Sequence, residues 1–244
     1  MQTRQIFITG AAALLFALVF LVGGHVRPLR PLFPDPRTGL SFGAGISVAY
    51  VFVHVMPELH DVRSAFVASA SVPLRYEGMA IYFVALVGFL AFYGLDHLRA
   101  LIQGAAEGEA GPAFKIQIGG FAAYVGSMAY LLVNNIEDTP VSTLTYATAI
   151  SFHFLALDHS LRAEHGAAYE GIGRFVLAGA SMLCWGLGLI FRLPNPVIAL
   201  MVAFISGAIV INSSIMELPS EKGGKFFAFA AGSIVYGLIL MPLE

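Results

Sequence analysis

The sequence predicts an all-α, polytopic integral membrane protein: a single transmembrane domain, residues 1–244, built from eight helices. Three observations predict this class. Hydrophobic residues make up 58% of the chain and charged ones only 11%, against about 25% charged in ordinary soluble domains. Apolar runs recur along the chain, each long enough to cross about 30 Å of hydrocarbon as a helix. The alternating pattern of a membrane β-barrel is absent, and helices satisfy their backbone groups internally where water is missing.

The runs are 6–24, 40–60, 78–98, 114–134, 142–160, 172–191, 196–217 and 225–242. Arg4 precedes the first, while Arg27, Arg30 and Arg37 follow it with no small-residue cleavage site between. It is therefore expected to be a retained helix, not a signal peptide, with its N-terminus outside. The second run opens on the small residues "SFGAGISVA" and ends in "VHVMPELHD"; the third closes on Asp96 and His97. The fourth ends "LLVNNIEDTP", and the fifth carries "ATAISFHFLALDHSLRAEH". The sixth holds Cys184, the sole cysteine, so no intrachain disulfide can form. The seventh carries Asn212 and Glu217 before Pro219, and the eighth is apolar.

Charge placement sets the expected orientation. The N-terminus and the even-numbered loops hold Arg4, Arg63, Arg75 and Arg192, and the remaining lysines and arginines lie in the odd-numbered loops. Odd loops then face the cytoplasm and both termini face outside, with the plasma membrane as the expected location. The connections are short and rich in Pro, Gly or Ala, leaving no soluble domain. The net charge of −2 says nothing about partners, and no basic patch suggests nucleic acid, which is not expected as one. The bilayer and a metal ion are the expected partners, and a homodimer is left open.

Helices 2 and 7 repeat one another. "SFGAGISVAYVFVHVMPEL" aligns without gaps to "AFISGAIVINSSIMELPSE", matching Phe42 with Phe204, Gly45 with Gly207 and Pro57 with Pro219. If helices 1–3 recur as 6–8, equivalent elements stand five helices apart, and an odd shift inverts them in the membrane. Inverted repeats of this kind build transporters with a binding site near the midplane. Shared apolar composition is the plainer source of such a likeness.

Polar groups inside apolar helices are costly and usually face the protein interior. His54, Glu58 and Asp61 stand at i, i+4 and i+7 on one helical face, a spacing that lets imidazole and carboxylate reach one divalent cation. Pro57 cannot donate to the carbonyl of Val53, which leaves a backbone oxygen free beside them. Asn134, Asn135 and Asp138 offer amide and carboxylate oxygens to a hard or borderline ion. His153 lies near the midplane; Asp158, His159 and Glu217 lie toward the cytoplasm. Together they form a ladder of metal-compatible groups across the membrane. Plainer roles stand beside these: a solvated helix end for His60 and Asp61, a polar helix terminus before Pro140, and a packing role for His153. Asp158 also fits an edge ion pair with Arg162, and Glu164 and His165 are expected to be solvated.

These residues carry a family resemblance. The chain resembles the ZIP family of zinc and iron transporters, whose second helix ends in a His-x-x-Pro-Glu element close to "VHVMPEL" and whose seventh ends close to "MELPSE". The resemblance implies a 3+2+3 arrangement of eight helices, inverted outer repeats and both termini outside. It also implies a binuclear metal site drawn from helices 4 and 5. Carried over by position, the helix 4 roles fall on Asn134, Asn135 and Asp138, with asparagine where the family has histidine. In helix 5 the imidazole falls on His153, Leu157 stands where glutamate is expected, and Asp158 is one residue on, about 100° around the helix.

The leading expectation is a non-enzymatic carrier of zinc, iron or manganese working by alternating access. The metal is cargo bound by His54, Glu58, Asn134, Asn135, Asp138, His153, Asp158 and Glu217. No organic cofactor is expected. Three other classes compete. An intramembrane zinc hydrolase often draws two ligands from one helix as His-x-x-x-His, and the sequence has no such pair. A haem protein would use His54 and His153 as axial ligands. A ZIP-like scaffold would bind metal without carrying it.

Overall fold

The computed structural model describes residues 3–25, 36–69, 77–103, 111–134, 140–213 and 224–241, and all the regular structure among them is helical. In chain order the helices are α1 (Thr3–Val22), α2 (Pro36–Tyr50), α3 (Met56–Ser69), α4 (Glu77–Gln103), α5 (Pro112–Asn134), α6 (Pro140–Ala168), α7 (Arg174–Ile190), α8 (Asn195–Asn212) and α9 (Phe226–Leu240). Prolines open α2, α5 and α6, where the missing N–H has no helical partner to lose. Among the described residues six helical stretches are long and apolar enough to cross a membrane, and α9 is a shorter apolar helix.

Two of these stretches combine several elements. α2 continues into α3 through a π-helical turn, Val51–Val55, where the Met56 N–H reaches back to the carbonyl of Val51. Pro57 explains the widening: its ring nitrogen cannot donate, so the winding slips by one residue just ahead of it. The sequence placed a loop after residue 60, but the helix runs on to Ser69. Leu59, Val62 and Phe66 pack against Ile81, Ala199 and Ala203, and burial of that apolar face outweighs the polar content. The other stretch, Thr143–Ile190, is broken at Gly166, whose φ of 48° and ψ of −121° favour a residue without Cβ. A second π turn, Tyr169–Gly173, follows.

Contacts with α1 show that the chain reverses at this break. Phe16 and Phe20 meet Phe154, and Gly23 meets Asp158, so α6 runs parallel to α1. Leu21 accepts from Arg174, Ala13 from Ser181, and Thr9 from Trp185, so α7 runs back antiparallel.

The helices fall into two groups. In one, α1, α5, α6 and α7 surround a core that includes Phe16, Phe121, Phe154 and Tyr169; in the other, α2–α3, α4, α8 and α9 pack together. α2 packs most extensively on α9, and α4 on α8. Both pairings rest on glycine. A Cβ added to Gly45 would strike the Phe229 carbonyl and lie 2.8 Å from the Ser233 nitrogen; one added to Gly232 would strike the Phe42 carbonyl. Likewise, a Cβ on Gly207 would strike the Ala85 carbonyl and lie 2.8 Å from the Phe89 nitrogen, and one on Gly88 would strike the Phe204 carbonyl. A shift of 162 residues takes Phe42 and Gly45 onto Phe204 and Gly207. A shift of 144 takes Ala85, Gly88 and Phe89 onto Phe229, Gly232 and Ser233. The two crossings are thus built from equivalent positions. Ser213, equivalent to Val51 under the first shift, is also in π geometry.

Candidate functional site

The two groups meet where α2 faces α6 and where α4 faces α5. Aromatic rings fill this seam. Tyr50 stacks near His54 at 4.9 Å and meets Tyr146 edge-on at 6.2 Å. Tyr146 leads through Phe16 to Phe154, which lies 5.9 Å from the ring of His153. On the far side Tyr124 and Phe92 are 5.1 Å apart, and Phe92 touches Phe204.

His153 and Tyr124 sit at the centre of this seam, each only 3% exposed. The His153 Nε2 and the Tyr124 hydroxyl are hydrogen-bonded at 2.8 Å. A buried tyrosine hydroxyl and a buried imidazole each require a partner, and here each supplies the other's. Sequence reasoning did not single out Tyr124. One signal was available: α5 and α6 run antiparallel about the 135–139 connection, and Tyr124 and His153 lie at comparable distances from it. Mid-helix polar groups at one depth are natural partners.

His54 and Glu58 occupy another level. His54 lies on the π turn and Glu58 in the first turn of α3, with Nε2 and Oε2 3.9 Å apart and both side chains about one-third exposed (34% and 30%). Partial exposure leaves room for a third group to join them. Because α2 runs antiparallel to α6, with Gly43 against Phe152 and Tyr50 against Tyr146, this pair lies beyond Tyr146. Tyr146 and His153 are seven residues apart on α6, about 10 Å of helical rise. His60 contacts the Tyr82 hydroxyl at 3.4 Å, while Asp61 is exposed.

The remaining candidates are dispersed. Asn134 donates from Nδ2 to the carbonyls of Tyr130 at 3.4 Å and Gly188 at 3.2 Å, so its amide nitrogen ties the end of α5 to α7. It stands ten residues from Tyr124, about 15 Å along the helix. Asn135, Asp138 and Glu217 lie outside the described residues. Asn212 is buried at the end of α8; its Nδ2, the Ser213 hydroxyl and the Ser47 hydroxyl are buried without a hydrogen-bond partner.

Asp158, 1% exposed, is enclosed by a charged network. The Tyr169 hydroxyl donates to its Oδ1 at 2.7 Å, and Arg162 reaches both carboxylate oxygens, at 2.9 Å and 3.1 Å. Arg162 also pairs with Glu170, and Arg174 reaches Glu170 at 3.3 Å. The ion pair that the i, i+4 spacing allowed is therefore present, and the reversal at Gly166 builds a larger network around it. Glu164 and His165 correct the expectation of solvated side chains. His165 is 6% exposed, its Nε2 donates to Gln117 Oε1, and Gln117 Nε2 donates to Glu164 at 3.0 Å. Gln117 and Phe114 of α5 cover a surface that would otherwise lie open.

Chemically, the described residues hold a half-exposed imidazole–carboxylate pair and, deeper, an imidazole capped by a phenol. Among the described residues no three His, Cys, Asp or Glu side chains gather as a metal cage. The fold and seam define an all-helical protein with helices suited to crossing a membrane. Comparison of the chain with protein-family models, with curated proteins and with solved structures gave no match.

Proposed function

We propose that this chain is a ZIP-like carrier that moves a divalent cation of the zinc, iron and manganese class across the plasma membrane by alternating access. The observation that carries the proposal is the pair of equivalent glycine crossings. Two structural units related by constant shifts, with π geometry at the matched positions Val51 and Ser213, are what inverted repeats produce, and such repeats build secondary transporters. We count the two limbs of the 48-residue stretch separately and add α9, for eight spans in a 3+2+3 order; both termini outside is the orientation that the placement of lysine and arginine supports. His54 and Glu58 supply a first binding level and His153 a deeper one. Imidazole and carboxylate without thiolate suit a borderline divalent ion.

The test is flux in proteoliposomes loaded with a metal-sensitive dye. Uptake of zinc, iron or manganese should exceed that of protein-free liposomes and fall in His54→Ala. Equal uptake with and without protein for all three metals rejects the proposal.

A second reading, a ZIP-like protein that binds metal without carrying it, has its own support. His153 is capped by Tyr124, and Asp158 is held by Arg162 and Tyr169, which leaves few charged groups along the path. Saturable metal binding without flux would favour it.

A further inference from the structure

The α2–α3 stretch holds one residue more than an unbroken α-helix would between the same end points. Met56 donates to the carbonyl of Val51, five residues back, where an α-helix would use Phe52. Pro57 has no N–H, so neither donor that an α or a π turn offers the Phe52 carbonyl reaches it. Wound as α, this turn would press the proline ring on the Val53 carbonyl, and the wider winding relieves that clash.

The extra residue sets which side of α3 meets its neighbours. Before the turn α2 is fixed on α9, with Gly45 against the Phe229 backbone and Gly232 against that of Phe42. After it, Leu59, Val62 and Phe66 pack against Ile81, Ala199 and Ala203, and Arg63 donates to the Gly78 carbonyl at 3.1 Å. If residues 51–55 were wound as α on a fixed α2, each later residue would advance one place, about 100° around the axis and about 1.5 Å along it. Glu58 and Asp61 would take the places of Leu59 and Val62, setting two carboxylates against Ile81, Ala199 and Ala203. With the turn as it is, Glu58 Oε2 lies 3.9 Å from His54 Nε2, and Asp61 is exposed.

We propose that the Val51–Val55 turn is a phase-setting device: one spare residue keeps Glu58 and Asp61 on the open side of α3, and Pro57 makes the wide turn the favoured one. The repeat carries the same spacing. Val51 stands six residues before Pro57, and Ser213, also in π geometry, stands six before Pro219. The device does not depend on metal carriage, so the flux assay and the test of the turn fail separately.

Deleting Phe52, whose side chain is 63% exposed, removes the spare residue, and Pro57→Ala removes the ring that calls for it. In a Cys184→Ser background, nitroxides are attached at Ser64→Cys on α3 and Phe227→Cys on α9, both exposed positions. By double electron–electron resonance, the Phe52 deletion with Pro57→Ala should keep the parent's label distance and elute as monodisperse protein. A distance shifted by several ångströms, or loss of monodisperse protein, overturns the device, because Phe52 was then not spare. The deletion without Pro57→Ala should survive heating less well, since an α turn now meets the proline ring; equal survival overturns the role given to Pro57. Deleting Val87, 41% exposed in α4, moves Gly88 out of register with Phe204 and should abolish monodisperse protein. Survival of that protein as well would show a general tolerance of deletions and overturn the device.

Discussion

Alanine at Gly45 should lower stability, although helices ordinarily favour alanine over glycine by about 0.5–1 kcal/mol. The structure decides the sign. A Cβ at Gly45 would strike the backbone carbonyl of Phe229 and crowd the Ser233 nitrogen at 2.8 Å. A flexible side chain could rotate away, but a carbonyl moves only if α9 moves. Overpacking a tight contact costs about 1–3 kcal/mol, more than the propensity gain. Gly207→Ala meets the same obstacle from Ala85 and Phe89 and should lose a similar amount. Gly119 and Gly179 have nothing within 4 Å of an added Cβ, so alanine there tests propensity alone and should be neutral or slightly stabilising. The assay is thermal survival of the detergent-purified protein by size-exclusion chromatography. A net loss of 1–2 kcal/mol corresponds to roughly 2–8 °C in Tm for a chain of this size. If Gly45→Ala and Gly207→Ala melt with Gly119→Ala, the interlocked crossings are not what holds α2 on α9 and α4 on α8.

Asp158→Asn removes the buried carboxylate that Arg162 and Tyr169 share, while Glu170 still pairs with Arg162, and should destabilise by about 1–3 kcal/mol, read as earlier loss of monodisperse protein on heating; wild-type survival would show the network to be dispensable. His54→Ala should cut metal flux several-fold with Tm within about 2 °C of the parent, since a half-exposed ligand contributes little packing. In a Cys184→Ser background, cysteines at either terminus should react with impermeant reagents outside intact cells, and cysteines near Arg30 or Glu107 should not. The inverse pattern would overturn the assigned orientation.

The helices were legible because lipid leaves the chain little choice. A segment that crosses hydrocarbon must be largely apolar, so each of the eight runs coincides with helix where it is described, apart from Phe191 and Lys225 at the edges of two of them. Ends were less legible. α3 extends to Ser69 and α4 to Gln103 because helix outside the apolar run is stabilised by neighbours, as Arg63 is by the carbonyl of Gly78 at 3.1 Å. The likeness of helices 2 and 7 was visible in Phe42, Gly45 and Pro57, of which the glycine and the proline have backbone roles that leave few substitutes. Which polar groups meet was not visible. Tyr124 reaches His153 across 29 residues, and Tyr169 reaches Asp158 only because Gly166 turns the chain back. Such partnerships depend on rotation and depth of packed helices, and no local spacing encodes them.

Contacts within the α2–α3/α4/α8/α9 group differ in kind from those that join it to its neighbour. Inside it, four glycines meet backbone: Gly45 and Gly232 in one crossing, Gly88 and Gly207 in the other. Across the seam, glycines meet side chains: a Cβ added to Gly43 would lie 3.1 Å from the Phe152 ring, and one added to Gly120 2.6 Å from the Leu95 Cδ2. Backbone against backbone is a fixed register, because sliding by one residue replaces a glycine with a clash. Ring against ring is tolerant, because aromatic side chains pack favourably over a range of offsets and tilts. The Tyr124–His153 pair adds a directional bond at the centre of the seam, between helices of the other group. The proposed carrier would need rigid parts and a surface along which those parts can repack. In this chain, the rigid contact is written in glycine and the adaptable one in aromatic residues. That division is why the repeat could be read from sequence, while the site within the seam required the fold.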